Sequence, residues 1–533
     1  MSTYSPALSP TVRRLTLVVV TLVTCMEFLT SYAIGVALPD IQGDLSASFD
    51  EGSWILTTYS TCFLIGLVLS NWLAARVGYR RHMILAVVLY MSASIGCGLS
   101  HTLSEILVFR GIMGLAGGVF LVRGQTAINL AYLGMDRFKA LLVFALGVVC
   151  MARLCGAAVG GYLTEWYSWR AIFFLNVPLS LTALTVLLLA IPDLKARLST
   201  RAQRLDLVGL GLLVAWVASL QIALSRGERD EWFADPMIAA LFLIAAICLP
   251  LFIWWELRRT NTAPIISLRT YLNRNFVIGS IYVVVLGMML YGQLYVVPQF
   301  LRNVQHHSAW GTGKLQSFNA AAFAVGVLLG AILINRLGLR LALAAGAAFF
   351  TLGMWCWASR LTPQISDTAM LLPLALTGLG AGWQIGPLSI LINRDTPPAL
   401  MGEGMELYLV QRQLGGSWGV AILAILVDRR ESFWSGRLGE HLSEYEIAGH
   451  LTGSALNQGA AALQAAGLAH ADAQAGAMAL LRGRLITQSI VNAFVDQFYY
   501  QALLGVLALV LVICLGRGRL VAGALRWFLW MLR

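Results

Sequence analysis

The chain has 533 residues, 58% of them hydrophobic and only 12% charged, whereas soluble domains carry about 25% charged residues; an ordinary soluble protein is excluded. A net charge of +11 would suit a nucleic-acid binder, yet the arginines sit in short loops between apolar runs, where positive-inside sorting puts them. All eight cysteines fall inside apolar segments, so no disulfide framework is expected.

Apolar runs long enough to cross a bilayer recur along nearly the whole chain, which predicts an all-α polytopic membrane protein. Fourteen transmembrane helices are read, at 15–37, 53–75, 82–100, 104–128, 139–163, 171–191, 207–225, 236–257, 276–298, 315–335, 341–360, 369–393, 402–427 and 498–516. Arg13 and Arg14 precede a first run that Glu27 interrupts, without a small-residue cleavage site, so a cleaved signal is not expected. Lys and Arg in the short loops divide 22 against 6 between alternate sides. That asymmetry places both termini in the cytoplasm.

Glu27 lies about halfway along the first span. Removing a carboxylate from water favours its neutral form, so a proton gradient could titrate it; the alternative is a neutral acid hydrogen-bonded in a helix interface. Spans four and five hold Arg110, Arg123 and Arg153 among glycines. Arginine within lipid costs several kcal/mol unless it faces protein or a wet cavity. Arg110 lies about six residues, roughly 9 Å by helical rise, from the outer end of span four, and Arg153 sits mid-depth in span five, comparable to Glu27; a structural role is the alternative for each, for Arg110 as a hydrogen-bond donor to backbone carbonyls. Arg123 is nearer the cytoplasmic end, where snorkelling is the expectation. The pairs Gly114/Gly118 and Gly156/Gly160 permit close helix packing. In span twelve, GWQIGP (382–387) predicts a bend that exposes polar backbone to a cavity, with Trp383 and Gln384 as substrate contacts. In span thirteen, Glu403 and Glu406 share a face. Glu406 is a second protonation candidate and Glu403 an interfacial residue. Arg412 lies deeper, about 15 Å from the cytoplasmic end by helical rise. The polar stretch 428–497 reads as a long external loop containing helical pieces. The tail 517–533, mixing Arg with Trp, Phe and Leu, reads as an amphipathic helix on the cytoplasmic interface.

Other energy sources find no support. None of the three lysines (139, 195 and 314) stands in the Gly-Lys-Ser/Thr context of a phosphate loop. There is no HExxH or CxxC pattern, and His306–His307 is at most a weak metal hint. No nucleophile or His/Asp pair stands out at a membrane surface, so an embedded enzyme is not expected. No cofactor and no metal are therefore expected, and an ion gradient is the remaining driver. One charge moved through 100 mV is worth about 2.3 kcal/mol, roughly fifty-fold in concentration.

Several passages resemble the major facilitator superfamily, in its fourteen-helix drug:proton antiporter branch of the EmrB/QacA type. They are MEFLTSYAIGVALPDIQGDL in span one, NWLAARVGYRR after span two, LVFRGIMGLAGG in span four and GAAVGGYL in span five. WRAIFFLNVPLS (169–180), RNFVIG (274–279), TPPALMGEG (396–404) and RQLGGSWG (412–419) come next in order. This chain departs from the pattern in having Glu27 for the usual Asp, Asn71 for a leading Gly, Ala75 for an acid and Ala157 for a Pro. The resemblance implies an N-terminal six-helix half (1–206), two inserted helices (207–257) and a C-terminal half (258–516) carrying the loop 428–497. It also implies alternating access around a midplane site, proton coupling through Arg110 and gating at Gly156, Gly160 and Gly161. With the residue readings, it yields an expectation of a proton-coupled exporter of amphipathic molecules in the bacterial inner membrane. Glu27, Arg110 and Glu406 would couple protons, and Arg153, Arg412, Trp383 and Gln384 would bind substrate. The excess of buried arginine directs the expectation to lipophilic anions or weak acids. The long loop resembles that of relatives working with a membrane-fusion protein and an outer-membrane channel. Export of an endogenous siderophore, lipid or signalling compound is the alternative.

Overall fold

The computed structural model describes residues 9–132, 134–189, 206–258, 274–394, 401–440, 452–467 and 469–515, with no strand among them. Its helices are Pro10–Asp44 (α1), Phe49–Val77 (α2), Tyr79–Leu99 (α3), Leu103–Ala131 (α4), Gly134–Leu146 (α5), Arg153–Trp166 (α6) and Arg170–Leu189 (α7). Then come Leu207–Arg226 (α8), Pro236–Leu257 (α9), Arg274–Asn303 (α10), Ala309–Arg360 (α11), Asp367–Arg394 (α12), Met401–Glu440 (α13), Thr452–Ala465 (α14) and His470–Cys514 (α15). Among the described residues, 13 helical stretches are long and apolar enough to cross a membrane. α11 supplies two of them, Ala309–Ile334 and Arg336–Arg360, with the chain kinked near their junction at Gly338, which adopts φ 75°. Gly78, at φ 89°, makes the corresponding turn between α2 and α3. Both turns need the left-handed backbone that glycine adopts without strain.

The predicted span 139–163 is helical throughout and carries a π-helical turn in its middle. α5 and α6, of 13 and 14 residues, are joined without a gap by the π-helical turn Gly147–Ala152, so together they exceed the roughly 20 residues needed to cross. Gly147 presses on α1, where a Cβ would come within 2.9 Å of Thr21 Cγ2, and its carbonyl accepts from Cys25 Sγ at 3.3 Å. One extra residue in a turn rotates the remainder of the helix by about 100°. Arg153 is the first residue after that rotation.

Two groups of helices result. In the first, α4 packs on α1, α2 and α3, and α1 on α6 and α7; in the second, α11 packs on α12 and α15, and α10 on α13. Glycines set the spacing within each group: a Cβ on Gly118 would strike Leu67 N at 2.7 Å, and one on Gly419 would strike Met288 Cα at 2.7 Å. The run at 169–180 ties α7 inward. Trp169 Nε1 and Arg170 donate to Asp44 at 2.8 and 2.6 Å, and Asn176 accepts from Thr30 and donates to Ser94, both at 2.9 Å. In place of the acid missing at Ala75, Arg80 donates to the Leu187 and Leu188 carbonyls, which end α7. A cation at a helix C-terminus is stabilising there.

The groups meet along α6 against α11, α2 against α13, and α1 against α10. At the end of α1 away from the N-terminus, Arg302 pairs with Asp40, Gln299 donates to Gln42 at 3.3 Å, and the Trp310 amide donates to Glu165 at 3.3 Å. α8 lies over the α2–α13 seam and bonds to both sides. Trp54 Nε1 donates to Ser225 O at 2.9 Å, Ser417 Oγ donates to Gln221 at 2.5 Å, and Arg429 donates to Glu228 at 2.6 Å.

The helical pieces expected within 428–497 make up most of its described residues. α13 continues to Glu440, α15 starts at His470, and α14 packs on α15. Arg430 and Trp434 both donate to Asp496 Oδ2, at 2.6 and 2.7 Å. The alanine and glutamine content that made this stretch look unspanning also favours helix. The expected tail helix, 517–533, lies outside the described residues.

Candidate functional site

α1 carries many polar side chains through apolar surroundings because most of them are satisfied locally. Thr16, Thr21, Thr24 and Thr30 return their hydroxyls to carbonyls four residues back, at 2.7–2.8 Å. Glu27 has no such local outlet. Its side chain, 3% exposed, enters a cavity between the two helix groups. Ser31 and Tyr32 of α1, Thr57, Tyr59 and Ser60 of α2 and Arg110 of α4 line one side. Tyr291 of α10 with Gln413 and Ser417 of α13 line the other. Residues 413, 417 and 420 of the lining share the spacing of one helix face.

Within the cavity, Tyr59 OH donates to Glu27 Oε1 at 2.8 Å, while Oε2 is buried without a hydrogen-bond partner. Arg110, 1% exposed, stacks its guanidinium 4.1 Å from the Tyr59 ring centroid and donates to Ile55 O at 3.4 Å. The ion pairs of the described residues all lie elsewhere, so Tyr59 stands between acid and base. Arg412 is half-buried, 5.7 Å from the Tyr408 ring centroid, and with Arg110 it is one of two cations acting electrostatically on Glu27. Tyr291 OH donates to Gln413 at 2.9 Å.

Arg153 lies one layer behind. It is buried at the α6–α11 seam, donates to Asn319 Oδ1 at 3.0 Å and stacks 3.9 Å from the Phe323 ring centroid. The Tyr32 ring, 5.5 Å away, separates it from the cavity. Asn319 passes the contact on to Leu374 O and Thr377, at 2.7 and 3.1 Å, and Gln293 donates to the same Thr377 hydroxyl at 2.8 Å. Arg153 thus bridges the two groups through a chain of neutral amides and hydroxyls.

The remaining sites are dispersed. Gln384 is fully buried in a bond from Tyr282 at 2.7 Å, and Trp383 stacks at 5.8 Å on Phe349; neither lines the cavity. Gly156 and Gly160 receive α1, where Cβ atoms would come within 2.9 Å of Leu29 O and 2.5 Å of Ala33 Cα. Gly161 instead faces α11 across the seam, 3.2 Å from Gly313 Cα to its would-be Cβ. Glu403 and Glu406 fall in the first turns of α13, and their side chains lie outside the described residues. Arg123 is 1% exposed and does not snorkel; its carbonyl accepts from Tyr79 OH at 3.2 Å. Tyr79 and His82 of α3 are the groups near it. His307, part of the weak metal hint, stands 3.3 Å from Asp367.

Tyr32, Tyr59, Tyr291, Gln413, Ser417 and Asn319 are the residues that reading by charge alone misses. The signal was present for Tyr59 in the run Thr57-Thr58-Tyr59-Ser60, an unusual polar cluster inside a span.

A family model of the Major Facilitator Superfamily matches residues 20–420. The multidrug export protein EmrB of Escherichia coli (strain K12) is 28% identical over 432 residues, covering 80% of this chain and 83% of that protein. The fatty acid resistance protein FarB of Neisseria gonorrhoeae is 30% identical over 441 residues, covering 81% and 84%. Among solved structures, a bacterial homolog of the human lysosomal transporter Spinster, inward-facing and occupied, aligns with TM-score 0.60 at 17% identity, covering 98% of this chain and 99% of that one.

Proposed function

This chain belongs to the major facilitator superfamily, in the branch of the EmrB-type export proteins, and on that premise we propose that it exchanges protons for amphipathic anions or weak acids. It is a multi-pass inner-membrane efflux transporter for small molecules and not an enzyme. The observation that carries the finer reading is the Glu27 carboxyl, buried in a cavity lined by both helix groups and flanked by Tyr59 and Arg110. A carboxyl so placed is neutral or charged according to which side of the membrane hydrates it. Rocking of one group against the other changes that side.

The substrate reading rests on charge. One acid and three arginines (Arg110, Arg153 and Arg412) occupy the cavity and its surroundings, leaving positive charge for an anionic head. Tyrosine faces supply the apolar contact. A fatty acid, the compound in the name of one relative, is a ligand of this chemistry. Coupling needs neither nucleotide nor metal in this reading, only the proton gradient. With the termini cytoplasmic, the α13–α14–α15 projection stands outside and would meet a membrane-fusion protein and its outer-membrane channel.

Purified protein in vesicles with an imposed proton gradient tests the coupling. Glu27→Gln is expected to abolish gradient-driven export while leaving binding of a dodecanoate probe measurable. Full-rate coupled export in that variant would end the assignment.

A further inference from the structure

We infer that Tyr59 is the positioning residue that links Glu27 to Arg110, so that the charge state of the carboxyl is felt by the arginine through the phenol rather than across an ion pair. The inference rests on the coupling role proposed for Glu27 and adds the group through which that role is exerted.

The geometry is specific. The phenol donates to Glu27 Oε1 at 2.8 Å, and the guanidinium of Arg110 lies 4.1 Å from the centroid of the same ring. The other contacts of Arg110 are weak: Ile55 O at 3.4 Å and Met113 Sδ at 3.9 Å. One side chain therefore touches both charged partners, by its hydroxyl and by its face. α4 is built to admit it. A Cβ on Gly117 would stand 2.7 Å from the Tyr59 hydroxyl and 3.2 Å from Glu27 Cγ, and one on Gly114 would stand 2.5 Å from the Tyr59 carbonyl. Two glycines on one helix thus clear room for α2 to bring the phenol against the carboxyl.

The bond depends on the state of the acid. To an ionised carboxylate the phenol makes a charge-assisted hydrogen bond, about twice as strong as a neutral one. Once Glu27 takes up a proton, that bond falls to the neutral kind and the ring beneath Arg110 loses its anchor. Besides Tyr59, the ionisable groups lining the cavity with Glu27 are Tyr32 on α1, Arg110 on α4 and Tyr291 on α10, while Tyr90 on α3, Arg412 on α13 and Cys25 on α1 interact with it through space. Of these side chains only Arg110 also stacks on the Tyr59 ring.

Tyr59→Phe removes the hydroxyl and keeps the ring for Arg110. The wild-type full-length protein in lipid nanodiscs would be titrated by infrared spectroscopy, and the Glu27 carboxyl band assigned by its loss in Glu27→Gln. Because the phenol stabilises the ionised carboxylate, its removal is expected to move the midpoint of that band to higher pH by about one unit, a tenfold change in proton concentration. Gly117→Ala, which crowds the hydroxyl and deletes no polar group, is expected to move it in the same direction. A midpoint unchanged in Tyr59→Phe overturns the inference, as does a wild-type spectrum with no titrating band attributable to Glu27. A structural role for Tyr59 would lower stability without moving the midpoint. Loss of coupled export in Glu27→Gln is read separately, so the coupling reading and the role of Tyr59 stand or fall on different measurements.

Discussion

At the scale of single residues, the cost of burying charge decides what each ionisable group can do. Glu27, Arg110 and Arg153 are each nearly closed off from solvent, and none is held in an ion pair among those of the described residues. They are accommodated by neutral dipoles and ring faces instead, which leaves their charge available to a substrate or a proton. Arg153 illustrates this, since its partners are an amide oxygen and the face of Phe323. If it draws in anionic heads, Arg153→Ala is expected to lower export of dodecanoate about tenfold and leave tetraphenylphosphonium handling unchanged, measured side by side in vesicles. A variant that depresses both alike would mark Arg153 as a strut between the helix groups. Guanidinium stacking also makes lysine a poor replacement, because an ammonium has no plane to lay on a ring.

At the scale of helices, three glycines of α6 have different jobs although they look alike in sequence. Gly156 and Gly160 receive α1 within one group, whereas Gly161 meets Ala309 and Gly313 of the other. Added volume should act accordingly. Gly160→Ala overpacks a contact inside the group and is expected to cost about 1–3 kcal/mol of stability, read as a lower apparent unfolding temperature. Gly161→Ala pushes on the seam, so its expected effect is altered labelling of single cysteines on either side of the cavity, with the unfolding temperature little changed. Equal thermal losses in the two variants would remove the distinction. The π turn ahead of Arg153 belongs to this scale as well. Without it the arginine would sit about 100° around the helix, away from Asn319.

For the whole molecule, the contacts between groups gather at one end of the bundle. Arg302 with Asp40, and Gln299 with Gln42, close the end away from the N-terminus, so these bonds must part if that end opens. Asp40→Asn keeps the shape and removes the charge. A partly exposed pair is worth up to about 1 kcal/mol, so the open population is expected to rise roughly five-fold, seen as faster labelling of a cysteine near Gln299. No change in labelling would mean that the pair does not govern opening. The projection built from α13, α14 and α15 makes the last prediction. Removing residues 441–469 leaves both long helices whole, and is expected to abolish co-purification with a membrane-fusion protein while the protein still inserts. Retained co-purification would make the projection a passive cap.

The linear order of residues was enough for the membrane class, for the positions of the spans and for the suspicion attached to Glu27 and Arg110. Each of those rests on local cost: an apolar run has to be in lipid, and a charge inside one demands a reason. Sequence also marked the glycines at 114, 118, 156 and 160 as contacts, since spacing of four on a helix is a local property. Spacing could not decide the partner. Trp383 and Gln384 read as cavity residues from the bend expected at GWQIGP, yet Gln384 is taken up by Tyr282, which is far away in the chain. Arg123 reads as free to reach the interface, and the structure buries it instead. The polar stretch after 427 lacks the hydropathy of a span and reads as a loop with helical pieces; how far α13 and α15 extend into it is not legible, because hydropathy measures burial and not helix formation. Tyr59 gained its meaning only when three helices converged, because a hydroxyl bonded to Glu27 and a ring face under Arg110 are relations between segments that no single segment contains.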